Sequence, residues 1–165
     1  MRNPLYRRLA WGVLTLGPVG TVLPAPGTWG SLCAALALAF LQPWLPVMLG
    51  WRAAVLCLAA VLVAAVGTLL LRRYARSDAH VDHPSIVLDE VAGMLVAAVP
   101  GGLWEQGTVV HLAIAFAFFR LFDIFKPLGI RTVDRRGTAA SVFLDDLLAG
   151  AYAALALTVL LLLVY

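Results

Sequence analysis

Charge is what this sequence has least of. Only 13% of its 165 residues are Asp, Glu, Lys or Arg, while 62% are hydrophobic, well above the roughly 45–50% apolar share of an ordinary soluble domain. That composition excludes a soluble globular chain and makes this an integral membrane protein. Cysteine is also scarce. Cys33 and Cys57 both lie inside apolar runs, so packing is their expected role and no disulfide framework is indicated. No phosphate-loop lysine follows the glycine-containing stretch PGTWGS, which leaves nucleotide binding without support. The net charge of +3 is distributed as a membrane requires, and no nucleic acid partner is expected.

Five apolar runs stand out: Leu32 to Leu49, Ala53 to Leu71, Ile86 to Pro100, Val109 to Phe122 and Leu147 to Val164. They predict an all-α fold, a polytopic helical bundle of about five membrane helices, some short or re-entrant. The third run reaches only ~22 Å as a helix, so it is extended by its flanks, sits beside a thinned bilayer, or re-enters. The whole chain, 1–165, reads as one membrane domain. Within it, residues 1–30 form an N-terminal segment in which prolines and glycines interrupt the apolar stretch, as an interfacial or re-entrant element would. Eleven of the 12 basic residues flank the first, second and fourth runs on sides of one parity. The positive-inside rule then puts the N-terminus and the two polar loops in the cytoplasm.

Four polar clusters remain, and this topology brings all of them to the cytoplasmic face. They are PAPGTWGS, HVDHPSIVLDE, FRLFDIFKPLGIRTVDRR and the pair Asp145–Asp146. Asp89 and Glu90 are read as opening one helix, Asp145 and Asp146 as opening another, and Asp123 as lying near the end of a third. A single acidic pair at a helix start serves to complement the dipole and cap free amides. Two pairs and a further Asp at one membrane face instead need a cation to hold them ionised. Asp89, Glu90, Asp123, Asp145 and Asp146 are therefore the expected metal ligands. An all-oxygen set suits a hard ion, most naturally Mg²⁺. His83 is a candidate proton carrier or ligand, or else a hydrogen-bonding loop residue. His80 is a weaker candidate, and His111, inside an apolar run, is read as structural.

An anionic ligand has its own candidates. Thr28 and Ser31, beside Gly27 and Gly30, stand where a helix begins, as either an anion-binding turn or a plain N-cap. At three-residue spacing, Arg120, Asp123 and Lys126 trace one polar stripe on a helix that Pro127 ends. Arg120 and Lys126 are placed to grip phosphate oxygens, with Asp123 reaching the metal. Together these residues point to phosphoryl transfer on an amphiphilic phosphate ester at the membrane surface, a phospholipid substrate with membrane lipids around it. Water or a carboxylate remains open as the nucleophile. The alternative is a small transporter or scaffold with an acidic ion-binding cluster, which would place polar residues deep in its spans. These spans are almost bare of charge between their ends.

In this order, PGTWGS, HPSIVLDE, FRLFDIFKP followed by IR and DR, and DD followed by AG resemble phosphatidylglycerophosphatase A over about residues 12 to 155. That resemblance implies a small bacterial inner-membrane, Mg²⁺-dependent enzyme that dephosphorylates phosphatidylglycerophosphate to phosphatidylglycerol from the cytoplasmic face, with no obligate protein partner. It also implies that Arg131, Asp134 and Arg135 belong with Arg120 and Lys126 to the family's basic-loop motif. Leu88 stands where the family often has Trp, and Gly129 where proline is common. Two other membrane classes do not match. CDP-alcohol phosphotransferases need an Asp-Gly that this chain lacks, and the common lipid phosphatases need a Pro-Ser-Gly-His motif that is missing here.

Overall fold

A computed structural model describes residues 4–44, 50–75, 81, 83–103, 109–127 and 129–164. Every regular element among them is helical: α1 (Pro4–Leu14), α2 (Pro18–Val22), α3 (Pro26–Leu41) with a 3₁₀ turn (Gln42–Trp44), α4 (Trp51–Tyr74), α5 (Leu88–Ala97), α6 (Val99–Leu103), α7 (Val109–Phe125), α8 (Ile130–Asp134) and α9 (Ala139–Val164). The all-α expectation holds. Two helices, α4 and α9, are long and apolar enough to cross a bilayer. At ~1.5 Å per residue, α3 and α7 come to ~24 and ~26 Å and α5 to ~15 Å, so among the described residues α4 and α9 carry two of the expected crossings by length. Large apolar side chains cover the outside of both long helices, with Leu58, Val61, Leu62 and Val66 on α4 and Leu155, Val159, Leu162 and Leu163 on α9 all exposed. Surface of that kind is stable against lipid and unstable against water.

The short helix α5 occupies the middle, packed against α3, α4, α7 and α9. It ends where Ala98 donates back to Met94 O at 3.0 Å. Pro100, in the first turn of α6, lacks the amide that would continue α5. The core around α5 is built from small side chains and a few large ones: Ala97, Ala115, Ala149 and Ala153 beside Met94, Phe119 and Leu157. Small residues let helix backbones approach closely in a membrane, where dispersion replaces the hydrophobic drive. The approach is closest at Gly93 and Gly150. A Cβ built on Gly150 would run into the carbonyl oxygen of Gly93, and one on Gly93 would lie 2.7 Å from the carbonyl oxygen of Asp146. Gly67 similarly leaves room on α4 for the ring of Phe143 from α9.

Two boundaries differ from the sequence expectation, each for a local reason. Helix α9 begins at Ala139, not beside the aspartates, because Thr138 and Ser141 form a reciprocal cap. Thr138 Oγ1 accepts from Ser141 N at 3.1 Å and Ser141 Oγ accepts from Thr138 N at 2.8 Å. Asp145 and Asp146 thus sit in the second turn, too far in to cap free amides. Helix α7 stops at Phe125, so Lys126 does not extend the stripe of Arg120 and Asp123. Lys126 has φ 45 and closes the last turn through N–H to Phe122 O at 2.8 Å, a left-handed position that non-glycine residues occupy at a cost of roughly 1–2 kcal/mol. Cys33 is half-buried and Cys57 exposed, both as free thiols.

The Gly93–Gly150 contact predicts an asymmetry between glycines. Gly150→Ala forces α5 and α9 apart and should cost roughly 1–3 kcal/mol, read as a lowered unfolding midpoint in detergent. Gly12→Ala, where an added Cβ meets nothing within 4 Å, should be neutral or stabilising. Equal midpoints for the two variants would show that the helices are not in backbone contact.

Candidate active site

The glycine contact sets the site. Asp89 lies four residues before Gly93 and Asp146 four residues before Gly150, one helical turn along the same faces. Where the two glycines touch, the two aspartates are brought together a turn away. Carboxylate oxygens of Asp89, Glu90 and Asp146 all lie within 4.8 Å of one another. Asp89 and Asp146 are buried and Glu90 is mostly so. Asp89 Oδ1 accepts from the Glu90 amide at 3.1 Å, while Glu90 Oε2 is buried with no hydrogen-bond partner among the described residues. A cavity of about 160 Å³ opens over them, bounded also by Asp123, Asp145 and Lys126.

Helix α7 supplies the next wall through Asp123, backed by Arg120 and by α3. Arg120 Nη1 pairs with Asp123 Oδ2 at 2.7 Å and donates to Ser31 Oγ at 3.3 Å, and Ser31 Oγ in turn donates to Gly27 O at 2.6 Å. A Cβ on Gly27 would collide with Glu90 Oε1 and approach Arg120 Nη1 to 3.3 Å. Glycine is therefore what lets the Glu90 carboxylate lie against the α3 backbone. Arg120 Nε is buried and has no partner among the described residues.

The far wall is held by Lys126, the chain's only lysine. Its Nζ bonds Asp134 Oδ1 at 2.5 Å and Asp145 Oδ2 at 2.7 Å. Burial works against the ammonium charge, but the two hydrogen-bonded carboxylates outweigh it and hold the Lys126 pKa above the ordinary lysine value. Two of its three donors are thus used. His83 stands at the mouth, exposed, its ring edge-on to Trp11 at 5.1 Å between centroids. Its Nδ1 accepts from Ser85 N at 3.2 Å, leaving Nε2 for proton exchange.

The five expected metal ligands therefore divide. Asp89, Glu90 and Asp146 share one point, whereas Asp123 and Asp145 line the same cavity but are engaged by Arg120 and Lys126. The expected phosphate contacts divide as well. Lys126 lines the cavity, whereas Arg120 stands behind its wall, paired with Asp123 and beside Glu90. Ser31 braces Arg120, Thr28 sits in the first turn of α3 without lining the cavity, and Arg131 and Arg135 are exposed on and just after α8. His80 lies outside the described residues. The sequence reading overlooked three contributors: Asp134 as the anchor of Lys126, Trp11 as the support of His83, and the Asp-x-x-x-Gly spacing that recurs as DEVAG and DLLAG. That repeat was a usable signal. Nothing local announces that Trp11 meets His83.

Six carboxyl groups line this cavity with Lys126, and Arg120 pairs with one of them, Asp123, from behind. Self-repulsion on that scale suits a positively charged guest, and the all-oxygen donor set with an unpartnered Glu90 oxygen fits a hard divalent ion. An all-helical bundle with a lipid-compatible exterior and a buried acidic cavity defines a membrane-protein class built for polar chemistry at an apolar boundary. Comparison with known proteins gives the family: the phosphatidylglycerophosphatase A profile matches residues 12–161, and the chain belongs to that family of phosphatases. The phosphatidylglycerophosphatase A of Haemophilus influenzae is 35% identical over 137 residues, covering 81% of this chain and 77% of its own. That of Escherichia coli is 33% identical over 158 residues, covering 93% and 81%. A Bacteroides thetaiotaomicron protein named as a candidate phosphatidylinositol-3-phosphatase is 34% identical over 134 residues, covering 78% of each. No solved structure matches the chain.

Gly27 gives the sharpest test of this geometry. In Gly27→Ala the new methyl meets the flexible end of Glu90, so the fold should hold while the carboxylate is displaced. Misplacing a reacting group by about 1 Å costs on the order of 10²-fold, so kcat should fall by that order with the unfolding midpoint unchanged. Full activity in this variant would remove Glu90 from the working site.

Proposed function

We propose that this protein dephosphorylates phosphatidylglycerophosphate to phosphatidylglycerol and inorganic phosphate in a Mg²⁺-dependent reaction, at the cytoplasmic face of a bacterial inner membrane that it crosses several times. The observation that carries this reading is the convergence of Asp89, Glu90 and Asp146 within 4.8 Å, directly beside a guanidinium whose Nε lacks a partner among the described residues. The names of the Haemophilus and Escherichia relatives support the substrate. The arginine-rich flanks of α1 and α4 support the orientation.

A phosphomonoester brings negative charge to a cavity that is already acidic. Asp89, Glu90 and Asp146 would hold Mg²⁺, which supplies Lewis-acid polarisation of the phosphoryl group and offsets that repulsion. Arg120, its guanidinium plane fixed by Ser31 and Asp123, adds positive charge beside Glu90 for the phosphate oxygens. Lys126, clamped between Asp134 and Asp145, presents its remaining donor to the same group. In hydrolysis a water oxygen bonds to phosphorus, the bond from phosphorus to the glycerol oxygen breaks, and the water's proton passes through the acidic cluster. His83 Nε2 at the mouth is placed to return a proton to the departing glycerol oxygen. The apolar exterior leaves the acyl chains in lipid while the headgroup enters.

Phosphate release from phosphatidylglycerophosphate in detergent tests the proposal directly. Chelation should abolish it and added Mg²⁺ restore it. Asp89→Asn and Asp146→Asn should each lower kcat by at least about 10²-fold while still inserting into membranes. Unchanged turnover in chelator would remove the metal from the proposal, and full activity of either variant would remove that carboxylate.

A further inference from the structure

The cleft between α1 and the cytoplasmic end of α4 lies outside the acidic site and has a built form. Trp11 stacks on Tyr74 with centroids 5.2 Å apart and planes 22° apart. The Arg7 guanidinium lies 5.3 Å from the centroid of the same Tyr74 ring. Pro4 and Arg8 complete an open cleft of about 310 Å³ whose lining holds no acid among the described residues. Arg72 and Arg73 in the last turn of α4 add two exposed cations nearby. Along α1, Leu5, Leu9 and Val13 are exposed at four-residue intervals. At 100° per residue Arg8 falls between this apolar stripe and the cleft.

We propose that this cleft binds the phosphate of an anionic phospholipid from the surrounding leaflet, at a site separate from the one that carries out the reaction. Arg7 and Arg8 take the phosphate oxygens, Tyr74 and Trp11 hold Arg7 in place from below, and the acyl chains lie along Leu5, Leu9 and Val13. Three features select this occupant. The cations are arginines, which grip phosphate with two parallel donors. The aromatic pair has the amphipathic character of side chains that sit at headgroup depth. The apolar stripe on the same short helix gives a two-tailed ligand somewhere to rest, which a soluble anion does not need.

Native mass spectrometry of the full chain in mild detergent tests this with three probes: phosphatidylglycerol, phosphatidylcholine and inorganic phosphate. The wild type should retain phosphatidylglycerol over phosphatidylcholine. Arg8→Glu should retain one phosphatidylglycerol fewer, with affinity for that lipid lowered about ten-fold or more, and Arg8→Lys should keep most of it. Arg8 is exposed, so its substitution should leave the unfolding midpoint in place, and lipid bound at the acidic site stays in the count for both variants. Equal retention by wild type and Arg8→Glu overturns the proposal. So does equal retention of phosphatidylcholine, and so does displacement of this lipid by millimolar inorganic phosphate, which would mark a bare anion site.

Discussion

Backbone contact between α5 and α9 at Gly93 and Gly150 is the constraint on which the rest depends. Buried carboxylates repel one another and lose hydration, so no favourable interaction among Asp89, Glu90 and Asp146 would gather them. The gathering is imposed from one turn away, by helices that pack closely because neither carries a Cβ at the crossing. Dispersion along an alanine-rich seam supplies the energy, and the acids are carried with it. The fold thereby holds a repulsive arrangement in place, a state that a bound cation would relieve.

Around that cluster each cation is held by a carboxylate and each holding carboxylate belongs to a different segment. Arg120 is tied to Asp123 within α7 and reaches Ser31 on α3. Lys126 joins α8 to α9 through Asp134 and Asp145. These links fix the donors before substrate arrives, which is the condition under which electrostatic stabilisation costs no reorganisation. The left-handed turn at Lys126 serves the same end. It takes the ammonium off the α7 stripe and aims it at α9, at a conformational cost that two ion pairs offset.

Much of this was legible beforehand because composition and charge spacing carry it. The all-helical class, the membrane-compatible exterior and the meeting of acids from separate helices all follow from apolar runs with charges only at their ends. Asp89, Glu90, Asp123, Asp146, Arg120 and Lys126 could be singled out because a charge in such a chain has few structural excuses. The division of the five acids could not be read, since it depends on which cation each acid meets. Lys126 meets Asp134 and Asp145 only because the chain reverses at a residue whose positive φ no motif announces. The early start of α9 was readable in principle from Thr138 and Ser141, three apart, but the hydrophobic count alone began that helix at Leu147. Crossing number follows less directly, because α3, α5 and α7 are apolar but shorter than α4 and α9.

Leu14 O accepts the amide of Val87 at 3.0 Å, so the end of α1 is bonded to the residue just ahead of the helix that bears Asp89 and Glu90. Any load on the first helix is therefore transmitted through a backbone hydrogen bond to the start of the helix that bears these carboxylates. The opposite end of α9, at Val164, lies about 27 Å of helix beyond Asp146. A fused domain placed beyond Val164 would sit a long stretch of helix away from the acids, whereas one placed before α1 would sit on the helix bonded to Val87.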